Sequence, residues 1–572
     1  MTMHLHPTKT FFPPLFSNLR LGPTVKCSFL MVAVLALASP AFALDGQIGI
    51  HDPSTVTMCD GKYYVYGTGG NPLVSDDGWT WRRGVTPART GAAPDVIHIG
   101  DHYFMYISGV TMISSKTLDP DSPDYKWEDG GTIVRSEGVG DVNPIDPAAF
   151  LDPTDGRLWL TCGSYVGYIR LVELDPKTGK RLHPEVDPVN VSINMEATCM
   201  IYHDGWYYLF GTHGSCCQGS SSGYNIRVGR SRKVTGPFID NMGVDLIEGG
   251  GKLFCGSEGR WIGPGHFGLL ATDDEAAQKF SCHYEADLDR GGASVLDIRP
   301  ILWLDGWPSA GENMKDGTYE IQSLRTGTAL ELAVEGVPVG GGRNRGGGGF
   351  GPRGGRGGLG GAGDTNAVPG RGGFGGFGAA GDAGGTNAFA GRGGFGGFGA
   401  PGGAGDTNAV AGRGGRGGRG GGGGGGFGGF GGQGGVIPAQ DVAQVSTNWP
   451  SGNIEARMNN YLSEAQQKWT ISAVTNAGGY PGSPYFKITI AGTDRALAAT
   501  PDADLVTVPA FTGAPEQLWR IEELTDGSWR LMPKVVPGSK ESLALSAIGS
   551  KSATLAKFDS MSDRQRWIIK AP

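Results

Sequence analysis

Short aromatic strands that follow a turn recur through the first half of the chain. The pattern is seen in "DGKYYVYGT", "GDHYFMYIS", "DGRLWLTCG" and "DGWYYLFGT", and more loosely in "TDDEAAQKFSCHYEA". An Asp-Gly pair between β-prone runs is a strong hairpin signal. Little between Leu44 and Pro308 has the periodicity of a helix. This half of the chain is therefore predicted to be all β.

A second signal precedes each of these strands. The segments are "IHDPS", "AAPDV", "PIDPA", "NMEAT" and "IGPGH", with marker residues at positions 52, 95, 146, 196 and 266. Five repeats of roughly fifty residues, all strand and turn, predict a five-bladed β-propeller. The inner strands of a propeller surround a channel, so residues at their equivalent ends should converge. Clustered carboxylates raise one another's pKa and cost stability, which suggests a functional site; the alternative is that Asp-Pro only starts a turn.

Three Gln-x-Trp triplets recur late in the chain, ending at Trp469, Trp519 and Trp567, with spacings of 50 and 48 residues. This threefold repetition resembles a ricin-type β-trefoil, a fold that is often a carbohydrate-binding module. The triplets themselves are core elements and say little about sugar binding. Similar openings, "GTYEIQSLRTGTALEL", "PYFKITIAGTDRALAA" and "GSWRLMPKVVPGSKESLAL", place the start of the first repeat at Gly317.

Glycine changes this picture, because 51 of the 103 glycines lie between Gly340 and Gly435. Removing residues 339–436 restores the repeat length of the trefoil, so this segment is predicted to be a disordered loop insertion within its first repeat. The segment has nine arginines and no lysine. Such tracts bind RNA in other settings. For this chain we favour a flexible spacer or a polyanion contact.

The N-terminus has the features of an exported protein. Lys26 precedes an apolar run from Phe29 to Ala38, and Ala41-Phe42-Ala43 offers a cleavage site. We expect residues 1–43 to be a signal peptide and the mature protein to be secreted, either extracellular or periplasmic. No other apolar run is long enough to cross a membrane. A net charge of -8 argues against a dedicated nucleic-acid binder. Seven cysteines remain after cleavage, so at least one should be unpaired within the chain.

Seven segments occur in order between residues 49 and 308: "HDPS", "IDPAAFLD", "GSYVGYIRLVELDPKTGK", "EAT", "GSCCQG…YNIRVGRSRKVTGPF", "GPGH" and "ILWLDGWP". With these segments, residues 49–308 resemble the family 43 glycoside hydrolases, and most closely their arabinanase branch. The resemblance implies that Asp52 is the general base, Glu196 the general acid and Asp146 the residue that modulates the pKa of the acid. It also implies inversion at the anomeric carbon.

The resemblance implies three further site residues. Ser164 and Tyr165 match a family segment near the substrate cleft, although a strand-turn role is an equal alternative. His266 matches a histidine beside a metal, usually calcium, on the channel axis. Calcium prefers oxygen ligands, so the alternative is a hydrogen-bonded channel histidine. His283 is a second metal candidate on a predicted outer strand.

The sequence thus predicts an all-β chain in three parts: a signal peptide (1–43), a catalytic propeller (44–312) and a trefoil (313–572) interrupted at about 339–436. We expect a monomeric, secreted glycosidase that cleaves α-L-arabinofuranosyl linkages of a plant cell-wall polysaccharide, with a carbohydrate as the candidate ligand of the trefoil. Within the enzymes, an exo-acting arabinofuranosidase or a β-xylosidase is the alternative. Outside them, the alternative is a non-catalytic glycan-binding protein.

Overall fold

The computed structural model describes residues 44–70, 72–87, 89–134, 144–270, 274–334 and 449–572. All of them belong to one compact unit of the chain. The predicted signal peptide and the predicted glycine-rich insertion lie outside the described residues.

The first half of the chain forms five sheets in succession, which we number blades 1 to 5. In blades 2 to 5 four antiparallel strands follow one another in chain order, whereas blade 1 carries a fifth strand that pairs in parallel at its outer edge. The strands are Asp45–Gly46 (β1), Thr57–Cys59 (β2), Lys62–Val65 (β3), Leu73–Ser75 (β4) and Thr80–Arg83 (β5) in blade 1; Asp95–Ile99 (β6), His102–Ile107 (β7), Thr111–Ser115 (β8) and Glu128–Thr132 (β9) in blade 2; Ala148–Leu151 (β10), Leu158–Cys162 (β11), Tyr168–Leu174 (β12) and Val189–Ile193 (β13) in blade 3; Glu196–His203 (β14), Trp206–His213 (β15), Asn225–Ser231 (β16) and Lys252–Cys255 (β17) in blade 4; and Trp261–Leu270 (β18), Lys279–Asp287 (β19), Ala293–Leu304 (β20) and Trp307–Ala310 (β21) in blade 5. The predicted five-bladed propeller is confirmed.

Apolar side chains between neighbouring blades hold the propeller together. Each of the five pairs of adjacent blades has its own buried cluster, including the pair formed by blades 5 and 1. Between blades 4 and 5, for example, the rings of Phe210 and Phe267 stack with centroids 4.0 Å apart. Full burial of such a side chain contributes about 1.5–3 kcal/mol. The blades therefore pack on each other rather than on a separate core.

The ring is closed by the segment that precedes the first inner strand. Residues 48–50 run beside the first half of β20 in blade 5, with Gly49 opposite Val295. The amide of Leu296 donates to the Ile48 carbonyl at 2.9 Å. Two residues further along is Asp52, so the closure of the ring and the position of this carboxylate are set by the same short stretch.

Asp95 ties three blades together. Its carboxylate accepts hydrogen bonds from the amides of Thr55 (3.1 Å), which precedes β2, and Ala149 (2.9 Å) in β10. The side chain is buried, and burial raises the pKa of Asp95. This carboxylate therefore serves the contact between blades, a role that the repeat had not suggested.

The remaining described residues form a second all-β part. Ten of its strands make one sheet in the order β23-β24-β30-β29-β28-β25-β22-β35-β32-β31, and two further hairpins pair β26 with β27 and β33 with β34. The strands are Gly317–Ser323 (β22), Ala329–Leu332 (β23), Ile454–Asn459 (β24), Trp469–Ala473 (β25), Gly479–Tyr480 (β26), Ser483–Pro484 (β27), Phe486–Ile490 (β28), Ala496–Ala499 (β29), Leu505–Val508 (β30), Trp519–Glu523 (β31), Trp529–Pro533 (β32), Leu543–Ile548 (β33), Ser552–Lys557 (β34) and Trp567–Lys570 (β35).

Among the described residues, helical structure is limited to single turns. Three-residue 3-10 helices lie at Gly219–Ser221, Leu246–Glu248, Leu288–Arg290, Ala465–Gln467, Thr475–Ala477, Pro515–Gln517 and Asp563–Gln565. In the part of the chain that the structure describes, no helix is long and apolar enough to cross a membrane.

A buried lysine joins blade 5 to the C-terminal sheet. Lys279 in β19 donates to the Pro481 carbonyl, and its Nζ lies 3.3 Å from Oε1 of Glu522 in β31. Burial lowers the pKa of Lys279 to about 8, because the negative charge of Glu522 offsets only part of the desolvation. The two halves of the described chain therefore share a buried polar contact.

We predict that Asp95→Ala destabilises the fold by about 2–6 kcal/mol, since each of two amides would lose its acceptor at a cost of about 1–3 kcal/mol. Denaturant unfolding measures the change. Asp101→Ala, at an exposed turn of the same blade, is the matched control and should leave the midpoint unchanged. Equal midpoints for the two variants would contradict the bridging role of Asp95.

Candidate active site

Each blade has a non-glycine residue in the left-handed backbone region on, or just before, its inner strand. These residues are Asp52 (φ 49°), Ala93 (φ 44°), Asp146 (φ 50°), both Asn194 (φ 62°) and Ala197 (φ 49°) in blade 4, and His266 (φ 58°). Side chains other than glycine adopt this conformation at a cost, and such residues cluster at functional sites. In blade 2 the counterpart of Asp52 is therefore Ala93, whereas the repeat had suggested Asp95.

Two inner strands carry a bulge next to a site residue. In β14 the register with β15 shifts between Glu196 and Cys199. In β18 the register with β19 shifts between Gly265 and Gly268, and His266 lies within the shift. A bulge bends its strand and re-aims the side chain. The folds of blades 4 and 5 thus turn Glu196 and His266 towards the channel by the same device.

Asp52 is held as an ionised carboxylate. Its Oδ2 accepts a hydrogen bond from the Thr68 hydroxyl at 2.6 Å and lies 2.9 Å from Nδ1 of His51. Its Oδ1 lies 3.6 Å from Nδ1 of His266. Burial by itself would raise the pKa of Asp52, but the two imidazoles outweigh it and keep that pKa well below its ordinary value. The side chain remains 19% exposed, so a ligand in the channel can reach it.

His51 lies between two carboxylates. Its second ring nitrogen, Nε2, lies 3.1 Å from Oε1 of Glu285. The hydrogen bonds to Asp52 and Glu285 raise the pKa of His51 to about 10 against the opposing effect of burial. His51 is therefore an imidazolium at neutral pH, and its charge stabilises the ionised form of Asp52.

His283 contacts both the backbone of Asp52 and the ring of His51. Its Nδ1 accepts the amide hydrogen of Asp52 at 3.1 Å, and its ring stacks on His51 with centroids 4.6 Å apart. Burial lowers the pKa of His283, so the ring is neutral and can accept this hydrogen bond. The sequence had suggested His283 as a metal candidate on an outer strand. It lies on β19, the second strand of its blade, and reaches the backbone of Asp52.

Glu196 is buried and held at both oxygens. The Ser164 hydroxyl donates to Oε2 at 2.6 Å, and the hydroxyl of Tyr224, in the loop before β16, donates to Oε1. Two separate donors restrict rotation of the carboxyl group. Ser164, predicted as a substrate residue, therefore contacts the predicted acid directly.

Asp146 is the third carboxyl group of the cluster. Burial is the main cause that raises its pKa to about 7, and the negative charges of Asp52 and Glu196 add to this effect. His266 opposes it with a positive charge. The three predicted carboxyl groups thus lie close enough to influence one another.

Tyr165 and His266 meet at Thr212, near the end of β15. The Tyr165 hydroxyl donates to the Thr212 carbonyl at 3.1 Å, and the His266 amide donates to the Thr212 hydroxyl at 2.9 Å. The hydroxyl of Tyr165 thus has a backbone partner. Its contact with substrate stays a prediction.

Sequence reasoning missed Thr68, Thr212, Tyr224 and Glu285. Two of them had a readable signal, because "VYGTGG" and "LFGTHG" end the second strands of blades 1 and 4 with the same Gly-Thr pair. Tyr224 lies in a segment that matched the resembled family but received no role. Glu285 had no local signal, since two of its partners, His51 and Cys217, are more than 60 residues away.

The residues around His266 fit a calcium ion only in part. Its Nδ1 is buried and has no hydrogen-bond partner among the described residues. However, the two described groups of three or more nearby metal-binding side chains do not include it; they are His51–Asp52–His283 and His51–Cys216–Cys217–Glu285. An ion held by His266 would take its oxygen ligands mainly from water.

The fold and the site define a class of protein. Glycoside hydrolysis needs one carboxyl group that acts as an acid and another that acts as a base. A cluster of buried carboxyl groups with distinct environments, at one end of a propeller channel, can supply both.

Comparison with known proteins agrees with this class. Residues 66–308 match the family model described as glycosyl hydrolases family 43. The chain is 30% identical to the extracellular exo-alpha-(1->5)-L-arabinofuranosidase ArbA of Cellvibrio japonicus, over 51% of this chain and 95% of that protein. It is 29% identical to the extracellular endo-alpha-(1->5)-L-arabinanase 1 of Bacillus subtilis, over 46% of this chain and 87% of that protein.

A solved structure of Cellvibrio cellulosa alpha-L-arabinanase complexed with arabinohexaose is 28% identical, with 46% of this chain and 96% of that chain covered and a TM-score of 0.43. The match to ArbA covers nearly all of that protein. The chain belongs to glycosyl hydrolases family 43 and is a glycoside hydrolase, as predicted.

We predict that Asp146→Asn stabilises the protein more at pH 8 than at pH 4. An acid whose pKa is about 4 unfolded and about 7 folded binds more protons in the folded state between these values. Its contribution to stability therefore falls as pH rises through that window, and asparagine removes the penalty. One pKa unit corresponds to about 1.4 kcal/mol, so a difference above about 1 kcal/mol is expected in denaturant unfolding.

The matched control for this prediction is Asp155→Asn, at an exposed turn of blade 3. It should show no pH-dependent gain. A stability change for Asp146→Asn that is the same at both pH values would contradict the raised pKa.

Proposed function

We propose that this protein hydrolyses the α-1,5-linked arabinofuranosyl linkages of arabinan with inversion at the anomeric carbon. The observation that carries the proposal is the meeting of Asp52, Asp146 and Glu196 at the ends of the inner strands of a family 43 chain. The names of the similar proteins from Cellvibrio japonicus and Bacillus subtilis describe action on α-(1->5)-linked arabinose polymers or oligomers.

Asp52 is proposed as the general base. A base must be ionised before it takes a proton from water, and His51 and His266 favour that form of Asp52. The Thr68 hydroxyl fixes one carboxylate oxygen and leaves the other facing His266. Water bound at the exposed part of Asp52 would be activated for attack on the anomeric carbon.

Glu196 is proposed as the general acid, which donates a proton to the leaving oxygen. Ser164 and Tyr224 hold its two oxygens, so the carboxyl is oriented before substrate binds. Asp146 is proposed as the residue that tunes this proton transfer through its charge. Since the pKa of Asp146 is about 7, its protonation state can change near neutral pH. Ser164 and Tyr165 are proposed to line the substrate subsite.

One of the two similar proteins is named an exo-acting enzyme and the other an endo-acting enzyme, so the length of the product distinguishes the two modes. Both are named extracellular. Together with the predicted leader at residues 1–43, this supports the proposal that the protein is secreted.

The C-terminal part is proposed to be a β-trefoil. Three tryptophans of the Gln-x-Trp triplets are fully buried, and each indole donates to the carbonyl of a leucine in its own repeat. These pairs are Trp469 with Leu330, Trp519 with Leu497 and Trp567 with Leu545. Strand β23 pairs with β24 across the glycine-rich segment, which supports an insertion within one repeat. A carbohydrate is proposed as the ligand of this part.

A calcium ion at His266 is also proposed. Among the described residues the buried Nδ1 has no hydrogen-bond partner, and Oδ1 of Asp52, at 3.6 Å, is a nearby oxygen. When bound, the ion would supply positive charge beside the carboxyl groups and lower their pKa values. The roles given above to Asp52 and Glu196 do not depend on it.

We predict that the protein releases arabinose or arabino-oligosaccharides from linear arabinan, and that Asp52→Asn and Glu196→Gln each lower kcat by at least about 100-fold. The reason is that proton transfer by a positioned side chain contributes about 10²–10⁴-fold. Product analysis by chromatography on arabinan, arabinoxylan and aryl glycosides also separates endo from exo action.

Asp155→Asn, at an exposed turn of blade 3, is the matched control and should keep normal turnover. Near-normal kcat in either carboxylate variant would remove the assigned roles. Release of xylose alone would replace arabinan with a xyloside as the substrate.

We predict that chelation lowers both activity and melting temperature, and that added calcium restores both. The His266→Ala variant should be insensitive to the chelator, because it lacks the ligand. Elemental analysis of the untreated protein gives an independent readout. A fully active protein without bound metal would show that His266 is an ordinary channel residue.

A further inference from the structure

Two adjacent cysteines lie beside the residues that support Asp52. Cys216 and Cys217, in the loop between β15 and β16, form a disulfide. Cys216 is half-buried and Cys217 is exposed, so the pair is open to small reagents. One ligand atom of each cysteine, of His51 and of Glu285 all lie within 4.8 Å of one another.

The other described cysteines are differently placed. Cys59, Cys162, Cys199, Cys255 and Cys282 are all free and buried. A small reductant or a metal ion that acts on the surface of the folded protein would therefore meet the Cys216–Cys217 pair first.

The donor set matches the preferences of zinc. Zinc takes thiolate, imidazole and carboxylate ligands in tetrahedral geometry. His51 Nε2 and Glu285 Oε1 are 3.1 Å apart, close to the separation of about 3.3 Å that two such ligands have around one zinc ion with bonds of about 2.0–2.1 Å. An ion between them would take the place of the proton that they now share.

The opposite side of His51 also suits a metal ligand. A histidine that binds a metal usually donates its second ring N–H to a carboxylate, which fixes the ring and makes it a better ligand. The second nitrogen of His51, Nδ1, lies 2.9 Å from Oδ2 of Asp52. The geometry thus provides four ligands and the outer carboxylate.

We propose that reduction of the Cys216–Cys217 disulfide creates a zinc site formed by both cysteines, His51 and Glu285, and that zinc bound there inhibits the enzyme. The oxidised form lacks the site, because disulfide sulfurs are not thiolates.

A small thiol can reduce the Cys216–Cys217 disulfide. Two thiol molecules supply two electrons and two protons, the S–S bond breaks, the thiols become a disulfide, and Cys216 and Cys217 become free thiols. Zinc then binds the two thiolates, Nε2 of His51 and Glu285, and the two thiol protons and the Nε2 proton of His51 pass to solvent. Zinc at Nε2 keeps His51 in place but removes its hydrogen bond to Glu285, so the charge beside Asp52 changes and the base loses its present environment.

Zinc retention tests the site without reference to activity. The folded protein is treated with a water-soluble phosphine, which takes oxygen from water as it reduces the disulfide and does not compete for the metal as a dithiol would. Zinc is added, the protein is passed through a desalting column, and the bound metal is measured. We expect about one zinc per reduced chain and none on the oxidised chain. Cobalt in place of zinc should give a thiolate-to-metal absorption band.

Two variants sharpen the test. The Cys216→Ser, Cys217→Ser double variant should retain no zinc under reducing conditions, with circular dichroism used to verify its fold. Asp52→Ala should weaken zinc binding by about 10–100-fold, since it removes the carboxylate partner of a ligating histidine. This second result would not be expected if zinc bound only to the two thiols.

Inhibition is measured in a separate arm, which rests on the proposed hydrolysis of arabinan. Zinc should inhibit product release by the reduced wild-type protein more strongly than product release by the double variant. Equal zinc retention by the reduced wild-type protein and the double variant would overturn the proposal. So would a reduced protein that shows two new thiols in a thiol titration but retains no zinc. The binding results stand even if arabinan is not the substrate.

Discussion

The active site depends on the closure of the ring between blades 5 and 1. Residues 48–50 pair with β20, and Asp52 follows two residues later. The amide of Asp52 then binds His283, which also belongs to blade 5. The carboxylate of the first blade is therefore oriented by contacts with the last blade. A propeller that did not close would leave Asp52 without these partners and would separate it from His266.

Closure of the ring brings carboxyl groups and left-handed residues close together, which costs free energy. Neighbouring side chains offset part of that cost. Carboxyl groups and left-handed residues meet at one end of the channel, where each strained residue costs about 1–3 kcal/mol. His51 offsets the negative charges of Asp52 and Glu285, since its positive charge lies between them. Asp146 keeps its proton up to about pH 7 and so adds no further negative charge below that pH. The same arrangement prepares Asp52 to accept a proton from water.

A contact between buried polar groups joins the C-terminal half to the propeller. Lys279 of blade 5 is fully buried against Glu522 and the Pro481 carbonyl. Removing one partner of a buried ion pair costs far more than the pair contributes, because the remaining charge is left unpaired. The two halves are thus coupled at this contact, even though the repeats of each follow their own pattern.

The local pattern of the sequence determined the strands, the hairpins, the five repeats and the three carboxyl groups, because side-chain alternation and Asp-Gly turns act over a few residues. Proline could have corrected the one misplaced repeat: Pro53, Pro94 and Pro147 directly follow Asp52, Ala93 and Asp146, which makes Ala93 the equivalent position. Only the tertiary structure decided that Asp95 bridges blades, that Tyr224 and Ser164 hold Glu196, and that His51 joins Asp52 to Glu285 beside the two cysteines. Most of these partners lie tens to hundreds of residues apart and come together only because the ring closes, and no local pattern encodes such a distance.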